Sequence, residues 1–236
     1  MSSCILFQSA TVITGDEGTK PFIADVLVRD GRIARIGEPG SVKSEEARAV
    51  DATGHYLSPG FIDMHAHSDL YLITNPVHEA KITQGCTTEI VGQDGISYAP
   101  VRNKQQLGAI RDQIAGWNGN PSDEECHTKH GHTGIFEWET IGDYLNCLQK
   151  NRTATNVAML VPQGNLRLLA CGADDTTATM EEIEDQVKLL REAMDQGAVG
   201  MSSYGFKAIE SYQEMLDLGK ATGCPIREDP YDQEKK

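Results

Sequence analysis

The sequence predicts an α/β protein with a small N-terminal β unit followed by a partial (β/α) barrel. Two observations lead to this prediction. Residues 4–56 consist of short candidate strands separated by turns, whereas after Pro59 apolar strands alternate with amphipathic helices. Because repeated βα units build a parallel sheet through right-handed crossovers, the second region can curl into a barrel.

The β unit is expected to span residues 1–57. Its candidate strands lie in three segments, CILFQSATVIT, ADVLVRDGRIARIG and AVDATGHYLSP. Asp30-Gly31 divides the second segment, and Asp-Gly is typical of a two-residue hairpin turn because both positions need a positive φ. This segment is therefore predicted to fold as a β-hairpin.

The partial barrel is expected to span residues 58–226, with strands at 60–64, 87–92, 156–162 and 198–203. Residues 96–155 are too many for an ordinary βα connection, so we expect extra helices there. About 180 residues follow the β unit, whereas a complete barrel takes roughly 250. Four barrel strands, with or without a fragment of a fifth, fit this length. The charged segment 227–236 lacks periodicity and is predicted to be a disordered tail.

Two of the predicted helices have recognisable starts. Thr140 with Asp143, and Thr179 with Glu182, resemble capping boxes, in which two side chains satisfy free N–H groups of the first helical turn. Apolar residues then recur at helical spacing, and Gly197 stands where the second helix should end.

Composition narrows the classes of function and location. The formal net charge is −14, and the absence of a basic stripe argues against a nucleic-acid partner. No apolar run approaches the roughly 18 residues of a membrane span, so no membrane partner is expected. The first residues contain no basic region typical of a signal peptide, and the six cysteines form no CxxC pair. We therefore expect reduced thiols and a cytoplasmic location.

The stretch GFIDMHAHSDL contains two histidines, His65 and His67, separated by one residue. Histidines at i and i+2 on a strand point to the same face and can converge on one metal ion. The end of a barrel strand lies at the mouth where barrel active sites are found. A bare HxH can also be a pair of ordinary polar loop residues.

The surrounding sequence resembles the amidohydrolase superfamily. LSPGFIDMHAHSDL follows a small β unit and opens a series of βα repeats, as in that superfamily, where such a stretch leads into an HxH metal pair. A second stretch, KITQGCTTEIVGQDGISYAP, resembles the second barrel strand of the D-aminoacylase (N-acyl-D-amino-acid deacylase) branch. GWNGN, NVAMLVPQGNLRLLACG and EAMDQGAVGMSS resemble the same branch. The resemblance implies a metal-dependent barrel of the TIM type.

The resemblance also implies a third metal ligand. Members of the branch carry a ligand, often cysteine, between the glycines of a G-x-x-G-x-S segment, and here that position is Asp94. Together with His65 and His67, Asp94 would bind a divalent ion, with zinc expected. A carboxylate is a harder ligand than a thiolate, so other divalent ions should be tolerated better. Cys86 precedes the strand and is expected to be a buried structural thiol. For Asp94 the alternative is an ordinary Asp in a Gly-rich turn.

The implied reaction is metal-dependent hydrolysis of a non-peptide C–N amide bond, with a small-molecule N-acyl-D-amino acid as substrate. Arg167 lies just past the third barrel strand and could bind a substrate carboxylate, since guanidinium pairs with carboxylate through two hydrogen bonds. A surface salt bridge is the alternative role for Arg167.

In the branch, later strands supply further histidines and a late aspartate that acts as general base. The resemblance implies that this chain does not reach them, so no catalytic residue is assigned and the chain is expected to be inactive alone. A splice variant, a gene-model error and a shortened paralogue remain open. Unpaired strand edges would favour self-association.

Two other functions stay open. A cyclic-amide hydrolase of the dihydropyrimidinase type usually holds two metals with a carboxylated lysine, yet none of the strands at 87–92, 156–162 and 198–203 contains lysine. A non-catalytic half-barrel is the other alternative. The cluster CHTKHGH (Cys126, His127, His130 and His132) could bind metal weakly, and His55 and His78 are treated as lone histidines.

Overall fold

The computed structural model describes residues 4–130, 136–172 and 177–203, and for 127–130 it describes the backbone alone. Its contacts divide the chain into two compact units, Met1–Gly60 and Phe61–Lys236. The domain limits expected from the sequence, 1–57 and 58–226, stay predictions. The tail expected at 227–236 lies outside the described residues.

The first unit contains a five-stranded sheet. Its strands are β1 (Cys4–Val12), β2 (Phe22–Arg29), β3 (Arg32–Gly37), β4 (Arg48–Asp51) and β5 (Tyr56–Leu57). They lie in the order β3-β2-β1-β4, with β5 also paired to β1. The β2–β3 pair is antiparallel, and the turn residues Asp30 and Gly31 both have positive φ, at 50° and 74°. The predicted Asp-Gly hairpin is therefore confirmed.

The second unit contains a four-stranded parallel sheet. Its strands are β6 (Phe61–Asp63), β7 (Cys86–Val91), β8 (Asn156–Pro162) and β9 (Gly200–Ser202). They lie side by side in chain order, and each neighbouring pair is parallel. All four strands fall within a residue or two of the predicted ones. The expected partial barrel is confirmed as a curled parallel half-barrel sheet.

Eight helices connect and cover these strands in the described residues. They are α1 (Tyr71–Thr74), α2 (Glu79–Ile82), α3 (Lys104–Gln113), α4 (Ala115–Asn118), α5 (Asp123–His130), α6 (Ile141–Asn151), α7 (Gln163–Ala170) and α8 (Met180–Asp195). The extra helices expected between the second and third barrel strands are α3 to α6. Within the described part of the chain, no helix is both long enough and apolar enough to cross a membrane.

The starts of α6 and α8 agree with the expectation from the sequence. Thr140 and Thr179 each accept a hydrogen bond from a first-turn backbone N–H, and Asp143 and Glu182 reach back to the backbone of the capping threonine. Both predicted capping boxes are confirmed. Gly197 follows α8 closely and has a φ of 110°, which allows the chain to turn away from the helix.

The core of the second unit lies where the helices pack against the sheet. Val91, Met159 and Val161 point from the strands into this core and are fully buried. On the other sheet face, Ile62 of β6 is 57% exposed. Burial of the core-facing side of the sheet therefore holds the strands together.

Candidate metal centre

The candidate metal ligands lie beyond the carboxyl ends of two neighbouring strands. β6 ends at Asp63, so His65 and His67 follow the strand instead of lying on it, and Asp94 follows the end of β7. Because β6 and β7 are adjacent and parallel, their carboxyl ends meet at one edge of the sheet. Ala66, between the histidines, is buried in the core, as expected for a residue pointing away from the site.

The three ligand groups converge on one point. His65 Nε2 lies 3.2 Å from Asp94 Oδ2, and His67 Nε2 lies 3.0 Å from the same oxygen. One ligand atom from each residue falls within 4.8 Å of the other two, and these residues form the one such group of three or more found in the described parts of the chain. The structure thus brings together the three residues singled out in the sequence.

This arrangement fits a divalent cation. Zinc binds His nitrogen and carboxylate oxygen at about 2.0–2.2 Å, which places tetrahedral ligands about 3.3 Å apart. The side chains of His65, His67 and Asp94 are 46%, 29% and 32% exposed, so an ion there could also reach water or substrate. His67 Nδ1 is buried and has no hydrogen-bond partner among the described residues, which leaves Nε2 as the nitrogen facing the site.

A strained turn carries Asp94 to the histidines. Asp94 has a φ of 54°, and the glycines on either side, Gly92 and Gly95, have φ of 75° and 72°. Asp tolerates this left-handed region better than most residues, and such backbone strain concentrates at functional sites. A Cβ at Gly92 would clash with the carbonyl oxygen of Leu160 on β8. Only glycine therefore fits where the turn passes β8.

Two side chains, one from the segment after β6 and one from β9, hold this turn. Asp69, which follows the histidines, accepts hydrogen bonds from Gly92 N at 2.9 Å and from Ser97 Oγ. Burial raises the pKa of the Asp69 carboxyl, and the hydrogen bond from Ser97 opposes that shift. From β9, Ser202 Oγ accepts from Gly95 N at 3.1 Å and donates to Gly92 O. The Asp94 turn is thus fixed to the segment that carries the histidines.

A second buried carboxylate lies on β7. Glu89 is fully buried and accepts hydrogen bonds from Ser68 Oγ at 2.5 Å and Thr155 Oγ1 at 2.8 Å. His78 Nδ1 lies 2.9 Å from Glu89, and Lys81 Nζ lies 3.9 Å away. The expectation that His78 is a lone histidine is wrong. Glu89 is the one charged residue in the strand CTTEIV, a signal that could have pointed to a buried partner.

Asp63 connects the end of β6 to helix α2. Its carboxylate accepts a hydrogen bond from the backbone N–H of His65 at 3.1 Å and forms an ion pair with Lys81. The hydrogen bond from Lys81 holds the pKa of Asp63 below its usual range, and the backbone bond from His65 adds to this. The backbone entering the HxH stretch is therefore tied to α2.

Helix α4 places an aromatic side chain beside the site. The Trp117 ring lies 4.3 Å from the His67 ring, measured between centroids, and is about half exposed. The next residue, Asn118, donates its Nδ2 hydrogen to the backbone oxygen of His67 at 2.6 Å. In the sequence, GWNGN indicated a family resemblance alone, and these two residues had no assigned role.

The structure does not join Arg167 to the three ligands by any described contact. Arg167 lies on α7 and is partly buried. Hydrogen bonds from Thr179 lower the pKa of Glu182 at the start of α8, and the positive charge of Arg167 adds a smaller lowering. Its side chain therefore lies near the start of α8, and the binding of a substrate carboxylate stays a prediction.

The group of candidate ligands includes neither Cys86 nor Cys126. Cys86 is buried at the first residue of β7, and its Sγ donates to the carbonyl oxygen of Thr88 at 3.4 Å, as expected for a structural thiol. Cys126 is buried on α5. The side chains of the other members of that cluster, His127, His130 and His132, lie outside the described part of the structure.

The amino-acid sequence of this chain is similar to a known protein family and to characterised relatives. A family model described as "Amidohydrolase family" matches residues 48–229. The D-aminoacylase of Alcaligenes xylosoxydans xylosoxydans is 34% identical over 202 residues, which are 86% of this chain and 38% of that protein. The N-acyl-D-aspartate deacylase of the same organism is 32% identical over 201 residues, 85% of this chain and 36% of that protein.

Solved structures of a D-aminoacylase and an N-acyl-D-glutamate deacylase are also similar to this chain. A D-aminoacylase structure superimposes with a TM-score of 0.70 at 26% identity and covers 94% of this chain and 50% of that chain. The N-acyl-D-glutamate deacylase of Bordetella bronchiseptica, complexed with zinc and a phosphonate mimic of the tetrahedral intermediate, has a TM-score of 0.69 at 28% identity, with the same coverage. The present chain spans half the length of these structures and less than two fifths of the sequence relatives.

Proposed function

This chain belongs to the amidohydrolase family, and we propose that it serves metal-dependent hydrolysis of the acyl amide bond of N-acyl-D-amino acids. The observation that carries the proposal is the convergence of His65, His67 and Asp94 within 4.8 Å at the carboxyl ends of two parallel strands. The names of the relatives, D-aminoacylase and N-acyl-D-aspartate deacylase, support the substrate class.

Zinc is the proposed ion. Two imidazole nitrogens and a carboxylate oxygen form a donor set that zinc accepts, and a further open position would be typical of a catalytic zinc site. The deacylase of Bordetella bronchiseptica was solved with zinc, which supports the same choice. The hard Asp94 ligand also suits other divalent ions.

The residues of this chain have separate tasks in the proposed reaction. His65, His67 and Asp94 would hold the ion, which when bound lowers the pKa of a coordinated water and polarises a carbonyl. The partial exposure of these side chains leaves the amide a route to the site. Arg167 is our proposed contact for the substrate carboxylate. We assign no general base within the described residues.

Calorimetric titration with zinc tests the metal assignment on the 236-residue chain. We expect the unaltered protein to bind zinc and a His65→Ala/His67→Ala double variant to lose that binding. His55→Ala is the matched control, because His55 is an exposed histidine that is not a proposed ligand and whose ring Nδ1 lies 3.1 Å from the Thr53 carbonyl oxygen. Identical isotherms for the double variant and the unaltered protein would contradict the assignment.

An activity assay tests the role of residues 1–236 alone. With zinc present, we expect no amine release from a panel of N-acetyl-D-amino acids above a metal-only blank. A positioned general acid–base contributes about 10²–10⁴-fold to rate, and none is assigned here. Turnover that disappears in His67→Ala would show that these residues, or a second copy, supply a complete catalytic set, and the assignment of no general base would be wrong.

The alternatives have less support. A cyclic-amide hydrolase with a carboxylated lysine is disfavoured because β7, β8 and β9 contain no lysine. A non-catalytic half-barrel that binds metal poorly would give a weak zinc isotherm or none. A cytoplasmic location remains part of the proposal, supported by the free thiols of the five described cysteines, since disulfides are rare in reducing compartments.

A further inference from the structure

Glu89 joins three segments that are distant in sequence. Its two oxygens accept from Ser68, next to His67, and from Thr155, which precedes β8, while His78 lies against it from the turn before α2. The carboxylate is fully buried. A buried carboxylate without partners would be strongly destabilising, so these contacts fix where Ser68, His78 and Thr155 can lie relative to β7.

Glu89 and Asp69 connect the two ligand-bearing segments reciprocally, since each carboxylate belongs to one segment and accepts hydrogen bonds from the other. Asp69, from the segment after β6, binds Gly92 and Ser97 on either side of Asp94. Glu89, from β7, binds Ser68, the residue directly after His67. Each segment is therefore anchored by a buried carboxylate of the other, and the separation of the His67 and Asp94 side chains is set from both sides.

We propose that Glu89 is a positioning residue for the metal site. Through the hydrogen bond from Ser68, it holds His67 against Asp94 and so sets the affinity for a divalent cation. This inference rests on the proposed metal-binding function. Hydrogen-bond partners behind metal ligands commonly change metal affinity by about 10–100-fold when they are removed.

A purely structural role for Glu89 makes a different prediction. Ser68 and Thr155 are both buried hydroxyl residues, and each donates to one oxygen of Glu89. Ser68 adjoins a proposed ligand, whereas Thr155 adjoins the start of β8. If the hydrogen bonds to Glu89 only stabilise the fold, removing the Ser68 hydroxyl and removing the Thr155 hydroxyl should change metal affinity by similar amounts. If Glu89 positions His67, only the loss of the Ser68 hydroxyl should weaken metal binding.

Titration of the full chain with cobalt(II), followed by its visible absorption, separates these cases. We expect Ser68→Ala to weaken cobalt affinity by about tenfold or more and to change the absorption spectrum. Thr155→Val should bind as the unaltered protein does, and Ser68→Thr, which keeps the hydroxyl, should restore binding. Circular dichroism melting of each variant reports the loss of stability separately from the change in affinity.

Each outcome supports or overturns the inference. The inference would be overturned if Ser68→Ala and Thr155→Val weakened cobalt affinity equally, or if Ser68→Ala left it unchanged. Either result would leave the metal site proposed for the unaltered protein unaffected. No cobalt binding by the unaltered protein would overturn both the inference and the proposed function. If Ser68→Ala fails to fold, Glu89→Gln replaces it in the test. Glu89→Gln keeps the side-chain size but replaces one hydrogen-bond-accepting oxygen with a donor. Unchanged cobalt affinity of Glu89→Gln would also overturn the inference.

Discussion

His67 is held through both its ring and its backbone. Its Nε2 faces Asp94, its backbone oxygen accepts from Asn118, and its ring lies against Trp117. His65 is more exposed, and its hydrogen bonds are the side-chain contact with Asp94 and the backbone bond to Asp63. The HxH motif makes the two histidines look equivalent, whereas the packing around them makes His67 the more firmly held.

Asp94 allows a test of the ligand role apart from the fold. Asn tolerates the left-handed conformation that the turn requires, so Asp94→Asn should melt within a few degrees of the unaltered protein. It removes the carboxylate charge, so zinc affinity should fall by at least about tenfold. Calorimetry and circular dichroism measure the two effects. Unchanged zinc affinity would show that Asp94 is only a turn residue.

Trp117 should report on occupancy of the site. Its ring contacts His67 and is about half exposed, whereas Trp138 is buried and donates its Nε1 hydrogen to Tyr98 O at 2.8 Å. We expect copper(II) to quench the tryptophan fluorescence of Trp138→Phe, which retains Trp117, and to leave Trp117→Phe largely unquenched. Equal quenching of both variants would place the bound ion elsewhere.

At the scale of elements, the turn after β7 decides the geometry of the site. It passes so close to β8 that position 92 has no space for a side chain, and contacts from β9 and from the segment after β6 hold it in place. The strands themselves follow from apolar runs in the sequence. The short helices α1 and α2 have no comparable periodicity, so the position of His78 between them could not be predicted.

Gly92→Ala tests this turn. The new methyl group would meet the Leu160 carbonyl, and the positive φ is unfavourable for alanine, so we expect destabilisation by more than about 2 kcal/mol and loss of zinc binding. Gly108→Ala is the matched control. Gly108 lies within α3 with nothing near its Cβ position, and alanine should raise helix stability by up to about 1 kcal/mol. Equal melting temperatures for the two variants would contradict the clash.

At the scale of the whole molecule, the sheet of the second unit has two outer strands. Among the described residues, β6 pairs only with β7, and β9 pairs only with β8. Unpaired strand edges with exposed apolar side chains are templates for association between chains. Ile62 on β6 is such a side chain, with more than half of its surface exposed.

We expect the 236-residue chain to self-associate through this sheet. Light scattering coupled to size-exclusion chromatography should give a mass above that of the monomer. Ile62→Lys should shift the population towards monomer, since a lysine on an edge strand opposes pairing. Met180→Lys, which adds the same charge at an exposed position of helix α8, should leave the mass unchanged. A monodisperse monomer of the unaltered chain would refute the expectation.

The sequence alone determined the features that depend on neighbouring residues. Apolar runs predicted β6 to β9, Thr and acidic residues three positions apart predicted the starts of α6 and α8, and Asp-Gly predicted the first hairpin. These signals are local because backbone geometry and helix capping involve residues within one turn. The HxH pair and the Asp94 motif likewise lie within short stretches, so the candidate ligands could be named from the amino-acid sequence.

Only the tertiary structure decided how those ligands are held. The three hydrogen-bond partners of Glu89 lie 11 to 66 residues away from it in sequence, and Ser202 binds Gly95 across 107 residues. No periodicity encodes such pairs, because they arise when parallel strands bring distant segments to one edge. A buried carboxylate at that edge, such as Asp69 or Glu89, is stable only when it accepts hydrogen bonds. For this reason the pairing of His78 with Glu89 could not be predicted from the sequence, and the roles of Trp117 and Asn118 depend on the packing of α4 beside His67.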